Sequence, residues 1–337
     1  MTFFSRRKED PRAPWNNDEK TVNEGSVDDG LAIPPCDIWH DDAPAQQTVT
    51  GELPPAPQDP IPPQDGSQCW AFMGAVGGVG TTTLAVQMAY ELAKTQASKT
   101  PRGQRNTDPK VCLIDLDFEA SGIVHHLDVQ AGLSQDDLAG DPARIDSLYI
   151  QSLLSHHSSG MSVLAAPNMI NGNAGVNPLT VLALLDAVCD AFPYVILDVP
   201  RHWQPWTAPA LMGADFLGLV TELSIPSLHM TRAKCDQLSD MLGSQSSCHI
   251  IMNKFERRAF KSTLRLSDAE TALQRTVLST LCMDPDVTRE ASNCGTPVGH
   301  VRTDSRYAKD SRKLLELMTN KVSTDRQNIN KYNTVAA

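Results

Sequence analysis

The chain of 337 residues has no apolar run of the ~18 residues that a bilayer-spanning helix requires. Its first ten residues, MTFFSRRKED, lack the apolar core of a secretory leader. Together these absences imply a soluble, cytoplasmic protein without a transmembrane segment. Cysteine falls at 36, 69, 112, 189, 235, 248, 282 and 294, and no two form a CxxC pair. The cysteines therefore read as small buried side chains in a reducing compartment. Positive charge is also scarce. The formal net charge is −11, of which residues 1–66 carry −8 and the remainder −3. A body so close to neutral argues against DNA as a partner, because nonspecific DNA binding needs clustered Lys and Arg. No internal repeat is evident, and the C-terminal region has no tyrosine cluster.

Residues 1–66 hold 11 of the 23 prolines, including the run from Pro54 to Pro63, and show no apolar periodicity. A disordered or extended acidic tail is expected there, with Phe3, Phe4, Trp15 and Trp39 as candidate docking anchors. From Cys69 onward apolar strand-like runs alternate with helical patterns, which indicates an α/β domain with a mostly parallel sheet flanked by helices. Strands are expected at Trp70–Met73, Val111–Leu116, Ser162–Ala165, Tyr194–Val199, Phe216–Thr221, His249–Asn253 and Val277–Leu281. Helices are expected at Thr82–Thr95, Pro178–Ala191, Pro205–Met212, Ser227–Leu242, Asp284–Cys294 and Ser305–Met318, with a further one near Pro142–Leu154. A polar loop is expected over 97–109 and a second loop around His156–Gly160. The division is thus a tail over 1–66, one domain over 67–322, and a flexible polar tail over 323–337.

The most informative stretch is WAFMGAVGGVGTTTLAVQMAYELA, Trp70 to Ala93. A short apolar strand runs into a glycine-rich turn and then a helix with Leu84, Met88 and Leu92 on one face. Glycines let the backbone approach phosphate oxygens, while successive N–H groups and the helix dipole favour an anion. Farther on, Asp115-Leu116-Asp117 closes one strand and Asp198 closes another, within Tyr194-Val195-Ile196-Leu197-Asp198-Val199-Pro200. Carboxylates at the C-terminal ends of parallel strands face the ligand crevice of an open α/β sheet. Ile250-Ile251-Met252-Asn253-Lys254 ends a third strand in an amide with both a donor and an acceptor, which suits a base edge.

This ordered set resembles the MinD/ParA superfamily of P-loop ATPases, whose deviant Walker A motif reads roughly K-G-G-x-G-K-T-T. The aligned residues here are Val76, Gly77, Gly78, Val79, Gly80, Thr81, Thr82 and Thr83. Both lysines are missing. Val76 stands in place of the signature lysine that reaches across a dimer, and Thr81 in place of the phosphate-binding lysine. The resemblance implies a nucleotide site formed by Gly77 to Thr83, Asn253 and Pro285. It implies Mg²⁺ held by Thr82, Asp115 and Asp198, and Asp117 as the catalytic residue orienting the attacking water. ATP and Mg²⁺ are the implied cofactors. The loop order G-x-x-G-G-x-G argues against a dinucleotide-binding Rossmann motif.

Further strings narrow the likeness. Ser162 to Pro167, the run Asp198-Val199-Pro200-Arg201, Ala210 to Asp215, Ile225-Pro226-Ser227-Leu228 and ASNCGTP from Ala291 to Pro297 resemble the TadZ/CpaE branch, associated with Flp/Tad-type pilus assembly. This resemblance, over about 69–318, implies pilus or secretion-machine proteins at the cytoplasmic membrane as partners. It also implies a homodimer and recruitment to the inner membrane or cell pole through partners. The branch often carries an N-terminal receiver-like domain, and here a Pro-rich tail stands instead. Losing a charge-assisted hydrogen bond costs about 1.5–3 kcal/mol, roughly ten- to hundredfold in affinity. The expectation is therefore a scaffold with weak nucleotide binding and little or no hydrolysis, and Arg201 and Arg232 are candidates to supply charge. The alternatives are an active partitioning ATPase for cargo or DNA, and a MinD-like regulator of another envelope system such as polysaccharide export. The last helix combines Leu314, Leu315, Leu317 and Met318 with Arg306, Lys309, Arg312 and Lys313, so packing on the sheet competes with contact to anionic lipid.

Overall fold

The computed structural model describes residues 67–99, 109–166, 168–169, 175–242, 248–256 and 264–335. The expected Pro-rich tail with its aromatic anchors, and most of the polar loop expected over 97–109, lie outside the described residues.

Eight strands form one sheet in the order β3-β4-β2-β5-β1-β6-β7-β8. They are β1 (Gln68–Gly74), β2 (Val111–Asp115), β3 (Ser155–His156), β4 (Ser162–Leu164), β5 (Tyr194–Val199), β6 (Phe216–Glu222), β7 (Cys248–Phe255) and β8 (Val277–Cys282). All pairings are parallel except β3 with β4. The helices are α1 (Thr81–Lys99), α2 (Ile123–Leu127), α3 (Gln135–Ala139), α4 (Ser147–Leu153), α5 (Pro178–Ala191), α6 (Thr207–Gly213), α7 (Ile225–Leu242), α8 (Leu266–Leu273), α9 (Pro285–Asn293), α10 (Val298–Val301) and α11 (Arg306–Val335).

The central strands are apolar on both faces because helices cover both faces. Alternate residues of β1 feed two separate cores. Ala71 and Met73 join Leu184 of α5, Leu211 of α6, Leu238 of α7 and Leu273 of α8. Trp70 and Phe72 join Leu84 and Met88 of α1, Val287 of α9, Val298 of α10 and Leu314 of α11. β6 approaches its neighbours so closely at Gly218 that a Cβ there would lie 2.8 Å from Ile251 Cδ1 and 2.9 Å from Phe72 Cδ1.

The seven expected strands are all present, each within two residues of its expected ends. The antiparallel β3 falls where a loop was expected; two residues are too few to show a period. The helix expected over Pro142–Leu154 is split into a 3₁₀ turn, Pro142–Arg144, and α4. Asp146 interrupts it, its carboxylate accepting from Tyr149 N at 2.7 Å as an N-cap. The largest correction is at the C-terminus. The helix expected to end at Met318 runs on to Val335, through the stretch expected to be a flexible polar tail from 323. Tyr307, Leu314, Leu315, Met318 and Val322 are buried against the sheet, so the apolar face proposed for lipid is mostly occupied. Arg326 of this extension bonds the Ser67 carbonyl, and its Nη2 lies 3.1 Å from Asp215 Oδ2. Among the described residues no helix is long and apolar enough to cross a membrane.

Candidate functional site

β1 occupies the middle of the sheet between β5 and β6, and the chain leaves it through the glycine turn to enter α1. Ala75 N donates to Val220 O at 2.8 Å, which fixes the start of the turn against β6. Gly78 and Gly80 have φ of +74° and +85°, the left-handed region that glycine enters without a Cβ penalty. Leu84 N donates to Gly80 O at 3.0 Å and begins the helix, so the turn ends on an α-helical N-terminus. Gly77 and Gly78 are exposed, while Val79 is 1% exposed and packs inward.

The three threonines that follow point in different directions. A Cβ at Gly74 would lie 2.8 Å from Thr81 Oγ1, so the Thr81 side chain folds back over β1. Thr82 lies beside the Asp198 carboxylate and lowers its proton affinity. Thr83 Oγ1 lies 3.2 Å from His126 Nε2, while His126 Nδ1 lies 2.9 Å from the Gly122 carbonyl. Nδ1 must donate to that carbonyl, and in the neutral ring this leaves Nε2 to accept from the Thr83 hydroxyl.

Asp115 and Asp198 are register partners on β2 and β5, and both are buried. Asp115 accepts from Ser121 Oγ at 2.8 Å, Asp117 N at 3.0 Å and Ile123 N at 3.2 Å. Burial still pushes its carboxyl up from 3.8 to about 6. Burial also raises Asp198 well above the usual carboxylate range, with the neighbouring Asp115 charge adding to it. Asp117 is half-buried and its Oδ1 accepts from Ala120 N at 3.1 Å, which closes the turn after β2.

Asn253 lies two residues before the end of β7, beside the glycine turn. Its Nδ2 donates to Val79 O at 2.8 Å, and its Oδ1 accepts from Lys254 N at 2.9 Å. One hydrogen and one lone pair of the amide remain for another group. Pro285, exposed, is the first residue of α9 behind Asp284. Nearby, a cleft of about 460 Å³ is lined by Phe255, Glu256, Met283, Arg306 and Lys309, among others, and none of the glycine-turn residues reaches it.

The structure therefore brings together the turn, Thr82, Asp115, Asp198 and Asn253. It places Asp117 in a turn of its own and Pro285 beyond β7, at the same edge of the sheet. Of the two arginines named as charge donors, Arg201 packs against Gly77, with Nη1 3.6 Å from where its Cβ would be. Arg232 instead donates to Ala272 O and to Gln274 Oε1 at 3.0 Å, tying α7 to α8. Sequence reasoning missed Ser121 and His126, which position Asp115 and Thr83, and it passed over Lys254, which bonds the Gly78 carbonyl. Its place directly after Asn253, at a strand end facing the crevice, was the available signal.

The oxygen-only set of Thr82, Asp115 and Asp198 fits a hard divalent cation such as Mg²⁺. The ion is held by one or two carboxylates, with water and substrate phosphate completing its shell. Two facing buried carboxylates with raised proton affinity also lack the positive charge such an ion brings. Among the described residues no group of three or more His, Cys, Asp or Glu could hold a metal without other ligands.

No protein-family model matches this chain, and no curated protein matches it. Solved structures do. A ParA family ATPase from Chlorobium tepidum TLS is similar with a TM-score of 0.61 at 19% identity, over 76% of this chain and 99% of that one. The Pyrococcus furiosus cell division ATPase MinD is similar with a TM-score of 0.60 at 19% identity, over 75% and 99%. The septum site-determining protein MinD from Pyrococcus horikoshii OT3, complexed with Mg-ADP, is similar with a TM-score of 0.58 at 18% identity, over 74% and 95%. At such identities the likeness is one of architecture, and this chain has the fold of the MinD/ParA P-loop ATPases.

Proposed function

We propose that this protein binds a nucleoside triphosphate with Mg²⁺ and serves as a nucleotide-sensing scaffold with little or no turnover. One observation carries the reading. Beneath a glycine turn without a lysine, the Thr82 hydroxyl meets Asp198, and Asp198 lies beside Asp115. Gly77 to Thr83 would wrap the phosphates, Thr82 and Asp198 would hold Mg²⁺, and Asp115 would face the ion's outer shell. Mg²⁺ there would neutralise phosphate charge that the loop no longer neutralises. Hydrolysis suffers more than binding, because stabilising charge in the transition state is usually the larger catalytic contribution. Asn253 and Pro285 would border the base, and Asp117 would orient water if turnover occurs.

The strings around Arg201, Ile225 and Ala291 favour a TadZ/CpaE-like role, localising or assembling a pilus or secretion machine at the cytoplasmic membrane. Val76, in place of the dimer-bridging lysine, favours a homodimer that does not depend on nucleotide. Two measurements test this. Under excess Mg-ATP the full chain should bind but release phosphate far more slowly than intact MinD-like ATPases; a comparable multiple-turnover rate would overturn the scaffold reading. Deleting the gene should abolish surface pili while leaving DNA partitioning unchanged; the opposite result would favour a partitioning switch.

A further inference from the structure

Two basic side chains from distant parts of the sequence, Arg201 and Lys254, converge on the exposed part of the glycine turn, and a third, Lys234, lies behind Arg201. Arg201 follows β5. A Cβ at Gly77 would lie 3.6 Å from its Nη1, 3.7 Å from its Cζ and 3.8 Å from its Nε. Three guanidinium atoms at nearly equal distance mean that the plane of the group faces the Gly77 backbone. Arg201 is exposed, and no carboxylate among the described residues pairs with its guanidinium. Lys234, on α7, donates to the Arg201 carbonyl and lies 5.7 Å from the Trp203 ring centroid. It holds the segment after β5 in place and puts a second cation beside the first. Burial, and after it the Arg201 charge, lowers the Lys234 proton affinity.

Lys254 reaches the turn from the other side. It follows Asn253 in the left-handed region, with φ of +52°, a conformation uncommon for a residue other than glycine. That backbone turns its side chain toward the loop, where Nζ donates to the Gly78 carbonyl. The nearest carboxylate oxygen paired with it is Glu222 Oε2 at 4.0 Å, a loose and solvent-exposed contact.

We propose that Arg201 and Lys254 together replace the two missing loop lysines, supplying in cis, from the ends of β5 and β7, the positive charge that holds the terminal phosphates of a nucleotide. The guanidinium presents a fork of donors to phosphate oxygens, and the ammonium exchanges the Gly78 carbonyl for a phosphate oxygen. Lys234 is a positioning residue. The inference rests on the nucleotide reading of the same site and adds the source of its charge.

The test is calorimetry on the full chain with two ligands, inorganic triphosphate and Mg-ATP. The native chain should bind both. Arg201→Ala and Lys254→Gly should each weaken both by roughly tenfold or more. Glycine is used at 254 because it keeps the left-handed backbone while deleting the charge. Arg201→Lys should recover part of the loss, and Arg232→Ala, which breaks only the α7–α8 contact, should change nothing. Unchanged triphosphate and ATP affinities in both charge variants would overturn the inference while leaving the nucleotide reading intact. Triphosphate binding that depends on both residues, with no binding of ATP, would support the inference and overturn the nucleotide reading. A native chain that binds neither ligand would overturn both.

Discussion

Asn253 and Val79, 174 residues apart, are joined by a 2.8 Å hydrogen bond from the Asn253 side-chain amide to the Val79 carbonyl. The bond ties the end of β7 to the glycine turn, and both residues are buried. A Cβ at Gly80 would sit 2.7 Å from the same Nδ2, so the contact is as tight as glycine permits. Asn253→Ala leaves a buried carbonyl without its partner, which costs about 1–3 kcal/mol. The urea midpoint should fall accordingly. Gly80→Ala should also destabilise, because it adds a clash with Nδ2 to a positive φ. An unchanged midpoint in both variants would mean that the turn is not held from β7.

Asp198 is expected to be a liability in the absence of a cation. Its carboxylate is buried beside that of Asp115, and burial with like charge raises its proton affinity. Asp198→Asn removes one of two facing charges and keeps a group that can meet the Thr82 hydroxyl. The Mg²⁺-free protein should melt several degrees higher as the variant, while the stabilisation of the native chain by Mg-ATP should shrink or vanish. A variant that melts lower and still responds fully to Mg-ATP would place the ion elsewhere.

Glu91 gives a pH prediction away from the site. It is buried on α1, accepts from Gln87 Nε2 at 2.9 Å, and its Oε1 lies 3.3 Å from Arg312 Nη1 of α11. Burial raises its carboxyl above 4.5, more than Arg312 lowers it. The folded state therefore binds the proton more tightly than the unfolded chain. The Glu91 contribution to stability is full below pH 4.5 and declines as pH rises through the folded value. Glu91→Gln should flatten this part of the stability profile, read as urea midpoints from pH 4.5 upward. An unaltered slope would show that Arg312 compensates the burial completely.

The extension of α11 should matter to the whole fold. Asp215 accepts from Cys69 N at 2.9 Å and pairs with Arg326 at 3.1 Å, joining the start of β6, β1 and the last helix. Asp215→Ala orphans a backbone donor at the start of the central strand and should cost about 1–3 kcal/mol. Arg326→Ala should cost on the order of 1 kcal/mol or less, because its side chain is partly exposed and solvent screens the pair. Denaturation of the two variants side by side checks the order, and equal losses would contradict it.

The parts of the molecule that were legible in the sequence are those whose signal is local. Tyr194 to Asp198 is an unbroken apolar run ending in an acid, and Gly74 to Gly80 cannot be mistaken for a helix or strand. The crossovers between them fix a parallel sheet, so Asp115 and Asp198 had to reach the same edge. The extension of α11 past Met318 was not legible, because its described anchor is Arg326 meeting Asp215, a contact between residues 111 apart. The same holds for Arg201 and Lys254. Each is an ordinary exposed cation in sequence, and only the register of β5, β1, β6 and β7 sets them against one loop. Arg232 was as good a candidate by type and position, but the orientation of α7 turns it toward α8.

The central claim is that a P-loop stripped of both lysines still holds nucleotide. The most direct measurement is calorimetric titration of the full chain with Mg-ATP at low ionic strength. Binding with a Kd between about 1 μM and 1 mM is predicted, following a ten- to hundredfold loss for each missing charge-assisted contact. No heat and no thermal shift at millimolar Mg-ATP would contradict the account and leave the MinD/ParA fold here as a scaffold without a nucleotide.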